Sequence, residues 1–420
     1  MIKKFELYNT LWLIFDKVFR LFVGLWLSVL IAKNLGSELF GEYNYIVSLM
    51  AIVSVFIAYG TNAIVLKYVS QGNEEIIDIS FILRMIAYLI FFVVFAILIL
   101  FLELENKYNY ILMAFILLFK PFDVVKVYFE SIVQVKMIVT IGNIVFILIS
   151  AAKLYIIYQG VTVSGLLLIA LFESALTAVG FFYAYYRKKS GEVLNLQKVN
   201  LNYIIKVSKE SFPLIFSSIC WVLYTQIDKL MVGELIGKSE LGVYSISVMF
   251  ADLSFILPAM LFSSIIPGVL VTCNKDEEKF NSKIITTYTI MMYLSLCCYF
   301  FTSAFATYFI PAYYGSEYYD SVGVLYIYGI GVVFSSLMLV SGKYMIQYNL
   351  QRLMLKRQML GLLINVGLNI VLIPNYGSEG AAVASVISLM IVSLFSDLFS
   401  KRTIICFKQK IMALNFLRLI

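Results

Sequence analysis

The sequence predicts an all-α integral membrane protein of twelve transmembrane helices, arranged as two like halves of six. Three observations predict it. The 420 residues are 62% apolar and only 14% charged, more apolar surface than a soluble globule can bury. Apolar windows long enough to cross a bilayer recur at 9–32, 40–66, 79–102, 108–130, 137–158, 163–186, 209–235, 241–270, 284–310, 322–346, 357–374 and 379–400. Lysine and arginine are unequally shared: with the N-terminus inside, 21 fall on cytoplasmic segments and only Lys33, Lys107 and Lys238 outside. That bias puts both termini in the cytoplasm. It accounts for most of the +7 formal charge, which is therefore no nucleic-acid footprint.

Taken in order, the first window follows Lys3 and Lys4 but is too long for a signal peptide and lacks a small-residue cleavage site, so it is expected to be retained. The loop after it reads Gly36-Ser37-Glu38-Leu39-Phe40-Gly41-Glu42-Tyr43, and the loop after the seventh window reads Gly237-Lys238-Ser239-Glu240-Leu241-Gly242-Val243-Tyr244. Both are Gly-x4-Gly-x-Tyr, 201 residues apart, each between the first and second window of a six-window set. Glycine suits a tight outer turn, and tyrosine is expected to anchor at the interface. Six windows per copy insert both copies the same way up, a parallel repeat about an axis along the membrane normal. The halves are 1–186 and 209–400, joined by a basic cytoplasmic linker, 187–208, and followed by a cytoplasmic tail, 401–420. Lys120-Pro121 interrupts the fourth window, and Pro258 inside the eighth is a candidate hinge.

The chain has no histidine, which excludes histidine metal sites and proton relays. Its five cysteines have no metal-like spacing; Cys220, Cys297 and Cys298 lie in windows and Cys273 and Cys406 on the inner side, so no disulfide framework is expected.

Eight basic residues remain inside windows: Lys17, Arg20, Arg84, Lys120, Lys126, Lys153, Lys229 and Lys343. Six of the eight are in the first half, so the two copies are chemically unequal. A charge at such depth costs roughly 2.5–3.5 kcal/mol and asks for a partner or a watery cavity. Asp16 and Arg20 stand four apart in the favourable order for an internal pair, with Lys17 left over. The first window is then either an internal bridge with a lysine lifted toward headgroups or a cationic wall of a cavity. Arg84, Lys153 and Lys343 lie near window ends and are expected to snorkel. Lys120, Asp123, Lys126 and Glu130 fall on one helical face, either a ladder of pairs or a stripe facing water. Asp228, midway along the seventh window, cannot snorkel; Lys229 points elsewhere, so each needs its own partner. Glu173, Asp252 and Asp397 are further carboxylates in windows.

Several of these stretches, in this order and spacing, resemble Wzx-type polysaccharide flippases of the multidrug/oligosaccharidyl-lipid/polysaccharide exporter superfamily. They are Ala32-Lys33-Asn34-Leu35-Gly36, Phe40-Gly41-Glu42-Tyr43, Gln226-Ile227-Asp228-Lys229-Leu230-Met231-Val232-Gly233, Leu241-Gly242-Val243-Tyr244-Ser245, and Ile373-Pro374-Asn375-Tyr376-Gly377 with Gly380-Ala381-Ala382. The resemblance implies two six-helix bundles set as a V around a central cavity, in a bacterial cytoplasmic membrane. It implies a substrate, undecaprenyl-diphosphate-linked oligosaccharide repeat units for O-antigen or capsule assembly, and partners among membrane lipids, a polymerase and glycosyltransferases. On that reading Lys17, Arg20, Lys120 and Lys126 hold the diphosphate, since cations supply its counter-charge. Asp16, Asp123, Asp228 and Lys229 serve gating or coupling to protons or sodium; no cofactor is implied. The rival readings are a cation-coupled multidrug antiporter of the same superfamily, which the surplus of intramembrane cations opposes, and a membrane enzyme, for which outer loops and catalytic clusters are missing.

Overall fold

A computed structural model describes residues 4–101, 106–188, 201–271 and 276–415, with side chains from Phe19 onward, Leu201 excepted. Among the described residues the chain is helical with no strand, as it must be where lipid offers the backbone no hydrogen bonds. The helices are α1 (Lys4–Ala58), α2 (Thr61–Ser70), α3 (Ile76–Phe101), α4 (Lys107–Leu117), α5 (Asp123–Ser131), α6 (Lys136–Gly160), α7 (Val163–Lys188), α8 (Leu201–Leu235), α9 (Lys238–Leu270), α10 (Glu277–Phe309), α11 (Ser321–Tyr328), α12 (Gly331–Gln347), α13 (Gln351–Ser393) and α14 (Ile404–Met412). α1 is kinked at Gly36 and α13 at Gly377. Among the described residues, seven helices are long and apolar enough to cross a membrane, or eight when the bent pair Ser316–Tyr328 and Gly331–Gln347 counts as one.

The expected fourth helix is two. α4 ends at Leu117, a 3-10 turn runs Lys120–Phe122 around Pro121, and α5 begins at Asp123. Proline has no amide hydrogen to continue the ladder. At Pro258, by contrast, α9 stays helical.

The chain divides into two compact units. The first comprises Met1–Gly36 and Ile46–Ile219, the second Ser37–Tyr45 and Cys220–Ile420. In the first, α2, α3, α5 and α7 bury Ile64, Ile77, Leu83, Val124, Tyr128 and Phe181 on one core, which Val207 of α8 joins. Hydrogen bonds fix the early turns of α8 there: Tyr59 and Ser208 hydroxyls at 2.9 Å, Tyr68 to Glu210 at 3.0 Å, and Asn73 to the Tyr203 hydroxyl at 2.7 Å.

In the second unit, one core gathers Phe280, Ile284, Tyr288 and Val340 with Cys406 and Ala413 around α14, and another gathers Val232, Leu241, Tyr244 and Ile373. Ser37–Tyr45 belongs here because the two copies of the repeated motif pack on each other. Gly36 (φ 76°) and Gly237 (φ 115°) take left-handed backbone that side chains rarely adopt, and helix resumes immediately after each. A Cβ on Gly41 would lie 2.6 Å from the Lys238 carbonyl carbon, and one on Gly242 would lie 3.1 Å from that of Ser37. Positions 37 and 238, like 41 and 242, are repeat equivalents, so the contact is reciprocal. The Ser37 and Ser239 hydroxyls meet at 2.8 Å across it. Lys238 caps it, 3.1 Å from Glu234 and 3.2 Å from the centre of the Tyr45 ring. The glycines therefore serve close helix approach as well as turning. Tyr244 is buried in the core rather than anchored at an interface.

Candidate functional site

Each unit holds its own set of charged groups. In the first, the chain brings Arg20 of α1 to α6, 123 residues on. The Arg20 Nε donates to Asn143 Oδ1 at 2.9 Å, Nη2 donates to the same oxygen, and the guanidinium lies 5.0 Å from the Phe146 ring centre. Phe19 meets Phe146 edge-on at 6.3 Å. Gly142 leaves the room: a Cβ there would stand 3.1 Å from Nη2. The side chains of Asp16 and Lys17 lie outside the described residues.

Lys120 and Asp123 form an ion pair at 3.3 Å, both partly exposed. Lys126 and Glu130 are exposed on α5, whose opposite face buries Val124, Val125, Tyr128 and Phe129. The stripe is thus the exposed face of an amphipathic helix. Lys126 is not brought to Lys120 by an ion pair or hydrogen bond among the described residues.

Arg84 departs from the snorkelling expected of it. It is only 1% exposed; Nε donates to Thr61 Oγ1 at 2.9 Å and Nη2 to Asn62 Oδ1 at 2.7 Å, with Asp123 acting on it electrostatically. The reversal at Tyr59-Gly60 starts α2 beside α3 and turns two neutral oxygens onto the guanidinium. Lys153 does not snorkel freely either: it pairs across helices with Glu173 of α7 at 3.6 Å. Lys343 is exposed.

In the second unit, Asp228 of α8 is buried and meets neutral donors from two other helices. Asn369 Nδ2 of α13 donates at 2.5 Å, the Tyr244 hydroxyl of α9 at 3.3 Å, and Ser385 Oγ, beyond the Gly377 kink, also donates. Asn365 sits one turn before Asn369 and accepts from it at 3.2 Å. One helical turn before Asp228, Tyr224 meets Ser388 at 3.1 Å. All of these partners belong to the same unit. Lys229 is half-buried, and Asp252 of α9 acts on its ammonium more strongly than Asp228 does. Asp397 is buried between Lys410 of α14 at 2.6 Å and Arg357 of α13 at 3.6 Å, an ion-paired cluster that ties α14 down.

Among the described residues no group of three or more histidine, cysteine, aspartate or glutamate side chains could hold a metal ion. Sequence reasoning singled out Arg20 and Asp228 but not the residues that surround them, Asn143, Phe146, Asn365, Asn369 and Ser385. The asparagines were the available signal, because an amide inside an apolar run also needs a hydrogen-bonding partner.

An inward-facing multidrug-resistance MATE transporter shares the fold at a TM-score of 0.70 and 14% identity, over 94% of this chain and 96% of that one. The lipid II flippase MurJ in an inward closed conformation does so at 0.73 and 15%, over 95% and 91%. The fold is shared with these two helical membrane transporters. The pattern of the polysaccharide biosynthesis protein family matches residues 7–271, and the chain belongs to that family; the MatE pattern matches residues 213–371. Among curated relatives, a probable low-salt glycan biosynthesis flippase of Haloferax volcanii is 25% identical over 178 residues, 42% of this chain and only 38% of that protein. A capsular polysaccharide biosynthesis protein of Staphylococcus aureus, CapF, is 23% identical over 394 residues, 90% of this chain and 94% of that protein.

Proposed function

We propose that this protein flips undecaprenyl-diphosphate-linked oligosaccharide repeat units from the inner to the outer leaflet of the cytoplasmic membrane, for capsule or O-antigen assembly. The single observation that supports this most is an arginine in the first membrane run, aimed by an asparagine and an aromatic ring of a distant helix. A diphosphate cannot cross hydrocarbon unaided, and fixed guanidinium and ammonium groups supply its counter-charge. Twelve spans form two six-helix bundles, 1–186 and 209–400, around a cationic cavity. Lys17, Arg20, Lys120 and Lys126 contact the diphosphate while the lipid tails stay in the bilayer. Alternating access then exposes that cavity to each leaflet in turn. Asp228, ringed by amide and hydroxyl groups, is the coupling site for sodium or protons, with Asp16, Asp123 and Lys229 in gating. The relatedness to CapF over nearly its whole length supports the substrate class.

Replacing Lys17 and Arg20 together with alanine abolishes complementation of a flippase-null strain while protein level stays normal. Full activity of that double variant removes these residues from the mechanism. A cation-coupled multidrug antiporter is the second reading, supported by the MatE match and the MATE neighbours. Six basic residues in the first-half windows oppose it, since a cationic drug is repelled where a diphosphate is attracted.

A further inference from the structure

We infer that Asp252 of α9, with Lys229 and Gln226 of α8, forms a subsite for the hydroxyl groups of the sugar that the lipid carries; this rests on the flippase reading above and adds a ligand contact to the gating given to Lys229. α9 is among the helices long and apolar enough to cross a membrane, and Asp252 stands midway along it with its side chain exposed. Among the described residues Asp252 makes no hydrogen bond or ion pair, and neither do the side chains of Lys229 and Gln226. A carboxylate at that depth is too costly to leave against acyl chains without a partner, so its exposed surface calls for water or a polar ligand. The packing of α8 on α9 gathers the three residues. A Cβ on Gly233 would stand 3.0 Å from Leu241, and the Tyr244 hydroxyl donates to Asp228 at 3.3 Å, so the two helices run antiparallel side by side. Val232 shares a core with Tyr244 and Val248. Lys229 lies one turn before Val232 and Gln226 one turn before Lys229, while Asp252 lies one turn after Val248, so both helices lead the same way from that core. The ammonium and the carboxylate act on each other electrostatically without forming an ion pair. Asp228 does not replace Asp252 here, since its carboxylate is already met by Asn369, Ser385 and Tyr244.

The make-up of this spot selects the chemistry of its ligand. One ammonium and one carboxylate leave it without net charge, so it neither adds to the pull on a diphosphate nor concentrates a cationic drug. It offers N–H donors from Lys229 and Gln226 and acceptor oxygens from Asp252 and Gln226. A sugar hydroxyl donates and accepts at once, and neighbouring hydroxyls on a ring are matched by a carboxylate beside an ammonium. Hydrogen bonds to such charged groups are stronger than those between neutral ones. A salt bridge already formed between Lys229 and Asp252 would have to be broken before a sugar could enter, and among the described residues none is formed.

The test uses the full-length protein in detergent, with native mass spectrometry as the binding readout and thermal unfolding measured alongside. The probes are undecaprenyl diphosphate, undecaprenyl-diphosphoryl N-acetylglucosamine and the ethidium cation. The parent binds the sugar-bearing lipid about tenfold more tightly than the bare one, the worth of one or two hydrogen bonds to charged groups. Asp252→Asn and Asp252→Ser abolish that preference, and Lys229→Gln reduces it. Binding of bare undecaprenyl diphosphate does not fall in the two Asp252 variants, because losing an acid leaves the spot more cationic. If the Asp252 variants keep the parent's preference, if the parent shows none, or if both lipids lose affinity alike, the sugar subsite is overturned, while binding of the bare diphosphate by the parent leaves the flippase reading standing. If the parent binds ethidium and neither lipid, the flippase reading falls and the subsite with it.

Discussion

The reciprocal contact of the repeated motifs gives an asymmetric prediction for two single methyl groups. Gly41→Ala places a Cβ 2.6 Å from the Lys238 carbonyl carbon, and Gly242→Ala places one 3.1 Å from the Ser37 carbonyl carbon. Ordinary van der Waals contact begins at 3.4 Å and the carbonyl oxygen stands closer still in each case, so the segments must separate in both variants, further in the first than in the second. Both obstacles are backbone, and no rotamer change relieves them. Overpacking of this kind costs about 1–3 kcal/mol, more for Gly41→Ala than for Gly242→Ala. The assay is a disulfide between Ser37→Cys and Ser239→Cys, whose parent hydroxyls are 2.8 Å apart, made in a background with the five native cysteines replaced by serine. In membranes under mild oxidant the pair crosslinks in high yield. Gly41→Ala lowers that yield sharply and impairs complementation, and Gly242→Ala does so less. If Gly41→Ala crosslinks and complements as well as the parent, the motifs are not held at this distance in the working protein.

Two further predictions concern the second unit. Asp228→Asn preserves the shape of the buried cluster but exchanges an acceptor for a donor against Asn369 and Ser385. Complementation is lost while folded protein remains, and transport in proteoliposomes no longer responds to a sodium or proton gradient; an unchanged gradient response removes Asp228 from coupling. Asp397→Asn leaves Lys410 and Arg357 as uncompensated buried cations, which costs about 3–5 kcal/mol and frees α14 to limited proteolysis. Lys410→Met, which leaves Arg357 facing the acid, is the milder of the two by thermal unfolding.

The helical membrane class was legible because it depends on composition summed over twenty-residue windows, which needs no knowledge of what touches what. The repeated motif was legible for the same local reason, as two eight-residue strings. What the strings could not reveal is that they bind each other. A Gly-x4-Gly-x-Tyr loop reads as a turn with an aromatic anchor, yet its second glycine is a site of helix crossing, and its tyrosine in the second copy reaches down to Asp228. Arg84 shows the limit of depth as a guide. Its place near a window end suggested snorkelling, but burial is decided by α2, whose start beside α3 follows from the reversal at Tyr59-Gly60. The helical wheel likewise gave a correct charged face for α5 but carried it through Lys120-Pro121, where the helix stops.

The partners of the deep charges divide them into two kinds, and the division bears on mechanism. Asp397 with Lys410 and Arg357, and Lys153 with Glu173, are acid against base. Such a pair is held by mutual attraction, and prising it open leaves two exposed charges in a poor solvent, so it serves best as a rivet. Arg84 is held by a threonine hydroxyl and an asparagine carbonyl, Arg20 accepts its orientation from Asn143, and Asp228 is met by an asparagine, a serine and a tyrosine. Neutral dipoles fix a charge in space without cancelling it. A charge met by such dipoles keeps a field that reaches beyond them. The sign of that field differs between the units, with the arginines in the first and Asp228 in the second.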